Sequence, residues 1–325
     1  MENKKYVFNV ITPIIMMGAE RNSELRVPSI KGVIRFWFRA LMGCFIDNTK
    51  DLYTLESDIF GSTEKKSNVI LKLNCIPETE KIKNIDYENF KYFLFPYRQR
   101  INERKNERKN EIRWIKEGSN FEIECFFKNN IYESILCETF ELISLFGGFG
   151  ARNRRGFGSV CLKNLEISNE NAFINKFKEI INVYKNYSSN KNLNIDKQRD
   201  YSCFLNGKIA ILNKNNDNYI EQMKFIQKVW QDYRRTNPLS ERINLGLPII
   251  KYNNKRRASP IIFKIFKKGD NYLIIILFLN STKLYKTESD EKILNEEIIN
   301  KFFDFLINNS FNIYNINTIL QEACR

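Results

Sequence analysis

The stretch Gly147 to Ser159 reads GGFGARNRRGFGS and concentrates the chain's most suggestive chemistry. Its five glycines, Gly147, Gly148, Gly150, Gly156 and Gly158, permit positive φ and let the backbone approach a partner closely. Arg152, Arg154 and Arg155 supply forked donors suited to phosphate oxygens. Phe149 and Phe157 can stack on bases or anchor the loop to a core. The loop has no GK[ST] sequence, follows a predicted helix and precedes a predicted strand, so it is neither a P-loop nor a dinucleotide fingerprint. Arginines set among glycines point to phosphate binding over a plain helix-to-strand connection.

A second set of cations lies near the N-terminus. Lys31, Arg35 and Arg39 fall at i, i+4 and i+8 of a predicted helix. Like charges at that spacing repel by a few tenths of a kcal/mol per pair. An anion along the stripe would relieve that repulsion. A solvated outer face accounts for the spacing equally well.

The chain contains no histidine. That excludes Ser-His-Asp and Cys-His nucleophiles, HExxH zinc sites and Cys2His2 fingers. The carboxylates Asp47, Asp51, Glu56 and Asp58 lie close in sequence. They are a candidate metal set for a nuclease, but on a polar segment the simpler expectation is solvation. The seven cysteines include no CxxC pair, which argues against a zinc ribbon or a disulfide framework. They read as reduced, mostly buried thiols of a cytoplasmic protein. No metal and no other cofactor is expected.

Across 325 residues, 52 Lys+Arg against 38 Asp+Glu leave a net charge of +14. Such an excess points to a polyanionic partner, nucleic acid first. Abundant Lys, Asn and Ile suggest that part of it is compositional. At 43% hydrophobic residues the chain can build packed cores, and its length suits two domains. The longest strongly apolar run, Tyr272 to Leu279, falls well short of the ~20 residues a membrane helix needs.

Hydrophobic periodicity supplies the elements that must hold these groups. A strand is predicted over residues 6–11. Pro28 and Ser29 then open a helix with Ile30, Ile34, Trp37 and Leu41 on its core face. Residues 59–62 read as a turn and 67–73 as a strand. Residues 118–127 form a half-buried strand, 131–146 a helix, and 160–167 a strand after the glycine-rich loop. Residues 170–184 are helical, and the Asn/Ser/Lys-rich segment 186–200 suits a linker. Strand 208–212, helix 219–235, strands 260–266 and 271–279 and helix 291–308 repeat the order of the first half. Both halves fit a β-α-β-β-α-β unit. The expected fold is therefore α+β, with two ferredoxin-like (RRM-like) domains in tandem: residues 1–168, then a helix and linker over 169–200, then residues 201–325. The repeat NERKNERKNE at 102–111 reads as a solvated surface segment, with an RNA-touching arm as the lesser possibility.

Four stretches together resemble the RAMP superfamily of CRISPR proteins, and within it the first Cmr subunits of type III-B effector complexes. They are Thr12-Pro13 through the ELRVPSIKGVIRFWFRAL run (24–41), Glu56 with Ile59 to Ser62, the glycine-rich loop to Val160, and Leu245 to Ile249 with Arg256 to Pro260. The resemblance implies two ferredoxin-like domains, no catalytic role, and binding of guide RNA (its 3′ region) and target RNA alongside other Cmr subunits in antiviral defence. It implies Arg26, Lys31, Arg35, Arg39, the loop residues Gly148, Gly150, Arg152, Arg154, Arg155, Gly156 and Gly158, and Arg256 and Arg257 as RNA contacts. A metal-independent endoribonuclease that processes the guide precursor is the alternative. Without histidine it would rely on cationic transition-state stabilisation.

Overall fold

The computed structural model describes residues 2–18, 23–74, 77–95, 113–188, 193, 195–214, 218–246, 258–286 and 291–325. The NERK repeat, the segment 247–257 with Arg256 and Arg257, and Cys75 lie outside the described residues.

In chain order the first half comprises β1 (Glu2–Val10), α1 (Val27–Met42), α2 (Thr49–Phe60), β2 (Val69–Leu73), β3 (Thr79–Lys81), α3 (Asn84–Asn89), β4 (Arg113–Ile115), β5 (Asn120–Phe127), α4 (Ile131–Phe146) and β6 (Val160–Leu162). Helix α5 (Glu170–Tyr187) leads to β7 (Cys203–Lys214), α6 (Tyr219–Thr236), α7 (Leu239–Arg242), β8 (Ile261–Lys268) and β9 (Asn271–Asn280). The chain ends through β10 (Lys283–Lys286), β11 (Glu291–Ile293), α8 (Glu296–Asn308), β12 (Asn312–Asn315) and α9 (Ile316–Cys324).

The architecture is α+β, with two four-stranded antiparallel sheets. Their spatial orders are β2-β5-β1-β6 and β12-β7-β9-β8. Within each sheet the first strand of the set pairs with both the third and the fourth. Two short two-stranded sheets, β3-β4 and β10-β11, stand apart.

Alternation places Tyr6, Phe8 and Val10 of β1 and Phe121, Ile123 and Cys125 of β5 inward. There Phe140 of α4 meets Tyr6 and Phe8 edge-on, with ring centroids 4.8 and 5.3 Å apart. The opposite face carries ion pairs, Lys5–Glu122 at 3.1 Å and Lys72–Glu124 at 3.8 Å. The second sheet differs. Every residue of β9 from Leu273 to Leu279 is buried, as a strand covered on both faces requires. On one side Trp230 of α6 packs on Phe263 of β8. On the other, Trp37 of α1 and Phe177 of α5 pack on Phe204 of β7, and Phe173 of α5 packs on Phe266 of β8. Helices α1, α4 and α5 thus bury side chains against the second sheet, and the buried residues of both halves form one continuous core.

Several boundaries correct the sequence reading. Helix α2 runs where a polar segment and a turn were expected. Leu52, Ile59 and Phe60 are buried, and the Asn48 side chain caps the helix by accepting from the Lys50 amide at 2.9 Å. Strand β6 stops at Leu162, short of Ile167. Residues 291–293 pair with β10, so the following helix starts at Glu296. The short β12 and α9, unanticipated, complete the second sheet and pack beneath it. Among the described residues no helix is long and apolar enough to cross a membrane.

Candidate nucleic-acid interface

Helix α1 begins after an extended Arg26, with Pro28 in its first turn and no side-chain cap on its free amides. Arg26 is exposed and lies 3.7 Å from Glu24. Lys31 donates to Ser67 Oγ at 3.2 Å. Burial, then the neighbouring Arg35, lowers its pKa from the ordinary lysine value.

The stripe does meet an anion, and that anion belongs to the chain. Arg35 Nε and Arg39 Nη1 both donate to Oε1 of Glu56, Arg39 at 2.7 Å, and Arg35 also reaches the Gly61 carbonyl at 3.2 Å. Glu56 is 2% exposed, whereas the two arginines keep 27% and 41% of their side-chain surface in solvent. Two of the stripe's three cations therefore share one carboxylate while Lys31 bonds to a neutral hydroxyl, and the stripe keeps a positive excess. Asp47 pairs with Arg199 at 2.6 Å and Lys197 at 3.0 Å, and Asp58 pairs with Lys65. Asp47, Glu56 and Asp58 of the candidate metal set are thus tied to separate cations, and Asp51 is exposed in the first turn of α2. Among the described residues no group of three or more Cys, Asp or Glu is arranged to hold a metal ion.

The glycine-rich loop folds back on the chain's own segment 12–15. Ala151 donates to the Ile15 carbonyl at 2.6 Å, Gly158 to the Pro13 carbonyl at 2.8 Å, and Thr12 Oγ1 to the Gly156 carbonyl at 2.6 Å. Gly158 has a φ of 67°, and a Cβ there would lie 1.9 Å from the Phe149 carbonyl oxygen. Gly150, at φ 86°, would place a Cβ 2.5 Å from the Ile15 carbonyl oxygen. The close approach these glycines allow is made within the fold. Gly148 sits against Gly158, and Gly156 against Met223. Phe149 and Phe157 are buried and anchor the loop to the core.

Arg154 and Arg155 of the loop join the two halves, whereas the Arg152 bond stays within the first. Arg152 donates through Nε to the Phe93 carbonyl at 2.6 Å. Arg154 donates to the Ser259 carbonyl at 2.6 Å, with its guanidinium 5.0 Å from the centre of the Phe36 ring on α1. Arg155 lies 4.9 Å from the Trp230 ring and 5.4 Å from that of Phe263, and donates to the Ile261 carbonyl at 3.3 Å. Burial pushes Arg154 down to about 10. Burial, then the nearby Arg152 and Arg234, pushes Arg155 down to about 9. Among the described residues no carboxylate pairs with Arg154, Arg155 or Arg234. A third cation crosses between the halves. Lys264 of β8 is buried and donates to the carbonyls of Gly147 at 2.7 Å, Val160 at 2.6 Å and Ile143 at 3.3 Å. It closes the C-terminal end of α4 and the start of the loop, and nothing local in the sequence marks it.

Between α1 and the loop lies a cavity of about 210 Å³, lined by residues of both halves. Ser29, Gly32, Phe36, Asn153 and Arg154 are on its wall. Of the lining residues, Gly148 and Arg154 are among the RNA contacts that the resemblance implies. A glycine in the middle of α1 was the available signal for the rest.

Residues 7–161 match the family model described as "RAMP superfamily". Two proteins of Pyrococcus furiosus are similar over longer stretches. "CRISPR system Cmr subunit Cmr1-1" is 28% identical over 292 residues, covering 80% of this chain and 81% of that protein. "CRISPR system Cmr subunit Cmr1-2" is 32% identical over 176 residues, covering 48% of this chain and 92% of that protein. The crystal structure of Cmr1 from Pyrococcus furiosus in its apo form superposes with a TM-score of 0.74 at 19% identity, over 97% of this chain and 99% of that one. A chain of the type III-B Cmr-beta complex, bound to cognate target RNA and AMPPnP in the presence of ssDNA, gives a TM-score of 0.60 at 16% identity, over 94% and 98%. These two likenesses concern the fold.

Proposed function

The chain belongs to the RAMP superfamily as a Cmr1-type subunit, and from that premise we propose that it is a non-catalytic RNA-binding subunit of a type III-B effector complex. In this reading its two halves are tandem ferredoxin-like domains, since both sheets share one strand order. Its partners are guide RNA, target RNA and other Cmr subunits. Its place of work is the cytoplasm.

One observation carries the proposal. Arg154 lines the cavity at the junction of the halves and reaches α1 through Phe36, and among the described residues no carboxylate pairs with it or with Arg155 and Arg234 in the adjoining joint. The α1 stripe keeps its own positive excess after Glu56 is counted. Uncompensated charge in a half-buried groove attracts a polyanion and is stabilised by it. The outer face of the first sheet is a less suitable platform, because ion pairs occupy much of it.

The test is binding of a fluorescent single-stranded RNA at increasing salt. Affinity should fall with a log–log slope of about −0.7 per phosphate neutralised. Changing Lys31 and Arg39 together to Ala should flatten the slope by roughly 1.4. An affinity independent of salt would remove the RNA reading. Cleavage of repeat RNA at one phosphodiester in EDTA would replace it with the endoribonuclease.

A further inference from the structure

Gly32 sits in the second turn of α1, where glycine costs about 1 kcal/mol relative to alanine. A mid-helix glycine is usually retained because another segment crosses close above it. Here a Cβ at Gly32 would meet no atom of the described residues within 4 Å. The space it leaves open is part of the cavity between α1 and the glycine-rich loop. Internal packing therefore does not explain the residue, and an occupant from outside does.

The wall chemistry narrows that occupant. Phe36 and Ile262 give flat and apolar surface. The Ser29 hydroxyl and the Trp37 indole N–H have no hydrogen-bond partner among the described residues. Asn153 donates its amide nitrogen to the Gly148 carbonyl at 3.1 Å, which leaves its oxygen as an acceptor. Arg154 supplies a cation beside the Phe36 ring. Flat apolar walls with separate donors and an acceptor suit a heteroaromatic ring with polar edges. A bare phosphate would gain nothing from the apolar half. At about 210 Å³ the cavity is smaller than the roughly 300–1,000 Å³ of typical small-molecule pockets, and it takes one ring system.

We propose that this cavity receives a single unstacked nucleobase of the bound strand, admitted by the missing side chain at Gly32. The inference rests on the RNA-binding reading and adds that one base is drawn out of the strand while its neighbours remain outside. Arg154 on the cavity wall would then hold a flanking phosphate.

The experiment uses a single-stranded RNA carrying 2-aminopurine at one position at a time. With the unmodified protein, one position should change fluorescence on binding far more than the others. An abasic residue at that position should weaken binding roughly tenfold, the loss expected for one stacked base. Gly32→Leu should abolish the fluorescence change and weaken binding of the intact RNA by a similar factor. Its melting temperature should not fall, because leucine is the better helix former. If the RNA binds but no position stands out, or if abasic substitution is neutral everywhere, the cavity proposal is overturned and the RNA reading stands. If the unmodified protein does not bind RNA, both fall together.

Discussion

Arg39 Nη1 donates to Glu56 Oε1 at 2.7 Å, and the carboxylate it meets is 2% exposed. Arg35 shares the same oxygen. A buried acid held by two arginines one helical turn apart does two things. It docks α2 onto α1, and it fixes both guanidiniums along the edge of the groove. Removing one member of a buried ion pair costs about 3–5 kcal/mol when the survivor stays buried. Here the survivors of Glu56→Gln are arginines that already reach water. We expect a loss of about 1–2 kcal/mol, in the range of a single charged hydrogen bond. The substitution also removes one negative charge beside the groove, so the salt dependence of RNA binding should steepen by up to roughly 0.7. Urea unfolding and a salt titration on the same variant test both halves of this expectation.

The loop arginines should separate by experiment. Arg155 is held between Trp230 and Phe263 and bonded to the Ile261 carbonyl. Arg155→Ala should therefore lower unfolding stability by about 1–3 kcal/mol and change the RNA salt slope by much less than 0.7. Arg154 borders the cavity. Arg154→Ala should flatten the slope by close to that amount and cost less stability. Slopes unchanged from the unmodified protein in both variants would show that both arginines serve only the joint between the halves.

Lys264 gives a pH signature. Its ammonium serves three carbonyls at the end of α4, and burial pushes its pKa down to about 7. The unfolded chain holds this proton up to about 10.5. Between those values the unfolded state binds more protons than the folded one, so this group's contribution to stability rises with pH from about 7 to 10.5 and is lost as pH falls through 7. Lys264→Met leaves buried carbonyls without a donor, and should cost about 2–4 kcal/mol. Its melting temperature should rise less than that of the unmodified protein between pH 7 and pH 9. Parallel melting curves for the two proteins would contradict the assignment.

Local pattern carried much of this structure into the sequence. The apolar spacing of α4 and α6 marks both helices almost to the residue, and the matching element order of the halves announces two like sheets. Helix α2 was hidden because Lys50, Asp51, Thr54 and Asp58 surround its apolar positions, and three acidic residues in its twelve suggested solvation. Strand β12 and helix α9 are too short for periodicity to register. The candidate site was legible as a list of cations and glycines but not as a geometry. That Arg35 and Arg39 face Glu56, that Arg154 reaches Ser259, and that Lys264 reaches Gly147 all depend on contacts between residues 17 to 117 positions apart. No local spacing encodes such contacts. The phenylalanines of the loop had two readings in sequence, and only the packing of Phe149 on Phe8 and Phe121 decides between them.

The last expectation concerns a site remote from the groove. Glu138 on α4 is partly buried next to Glu141, and Lys176 of α5 bonds to Glu141 at 2.7 Å and to Glu179 at 3.2 Å. Burial, then the hydrogen bond and repulsion from Glu141, pushes the Glu138 carboxyl up to about 8. Lys176 acts the other way but its ammonium is engaged by the two other carboxylates. In the folded state Glu138 keeps a proton that the unfolded chain releases near 4.5. Its contribution to stability is complete below about 4.5 and is lost as pH rises through 8, opposite in sign to that of Lys264. Glu138→Gln keeps the protonated shape without the charge. It should be nearly neutral at pH 5 and should raise the melting temperature by a few degrees at pH 8.5. Measured beside Lys264→Met from pH 5 to 9.5, the two variants should bend the stability curve in opposite directions. A Glu138→Gln effect that does not change with pH would mean that the carboxyl is already ionised in the folded protein.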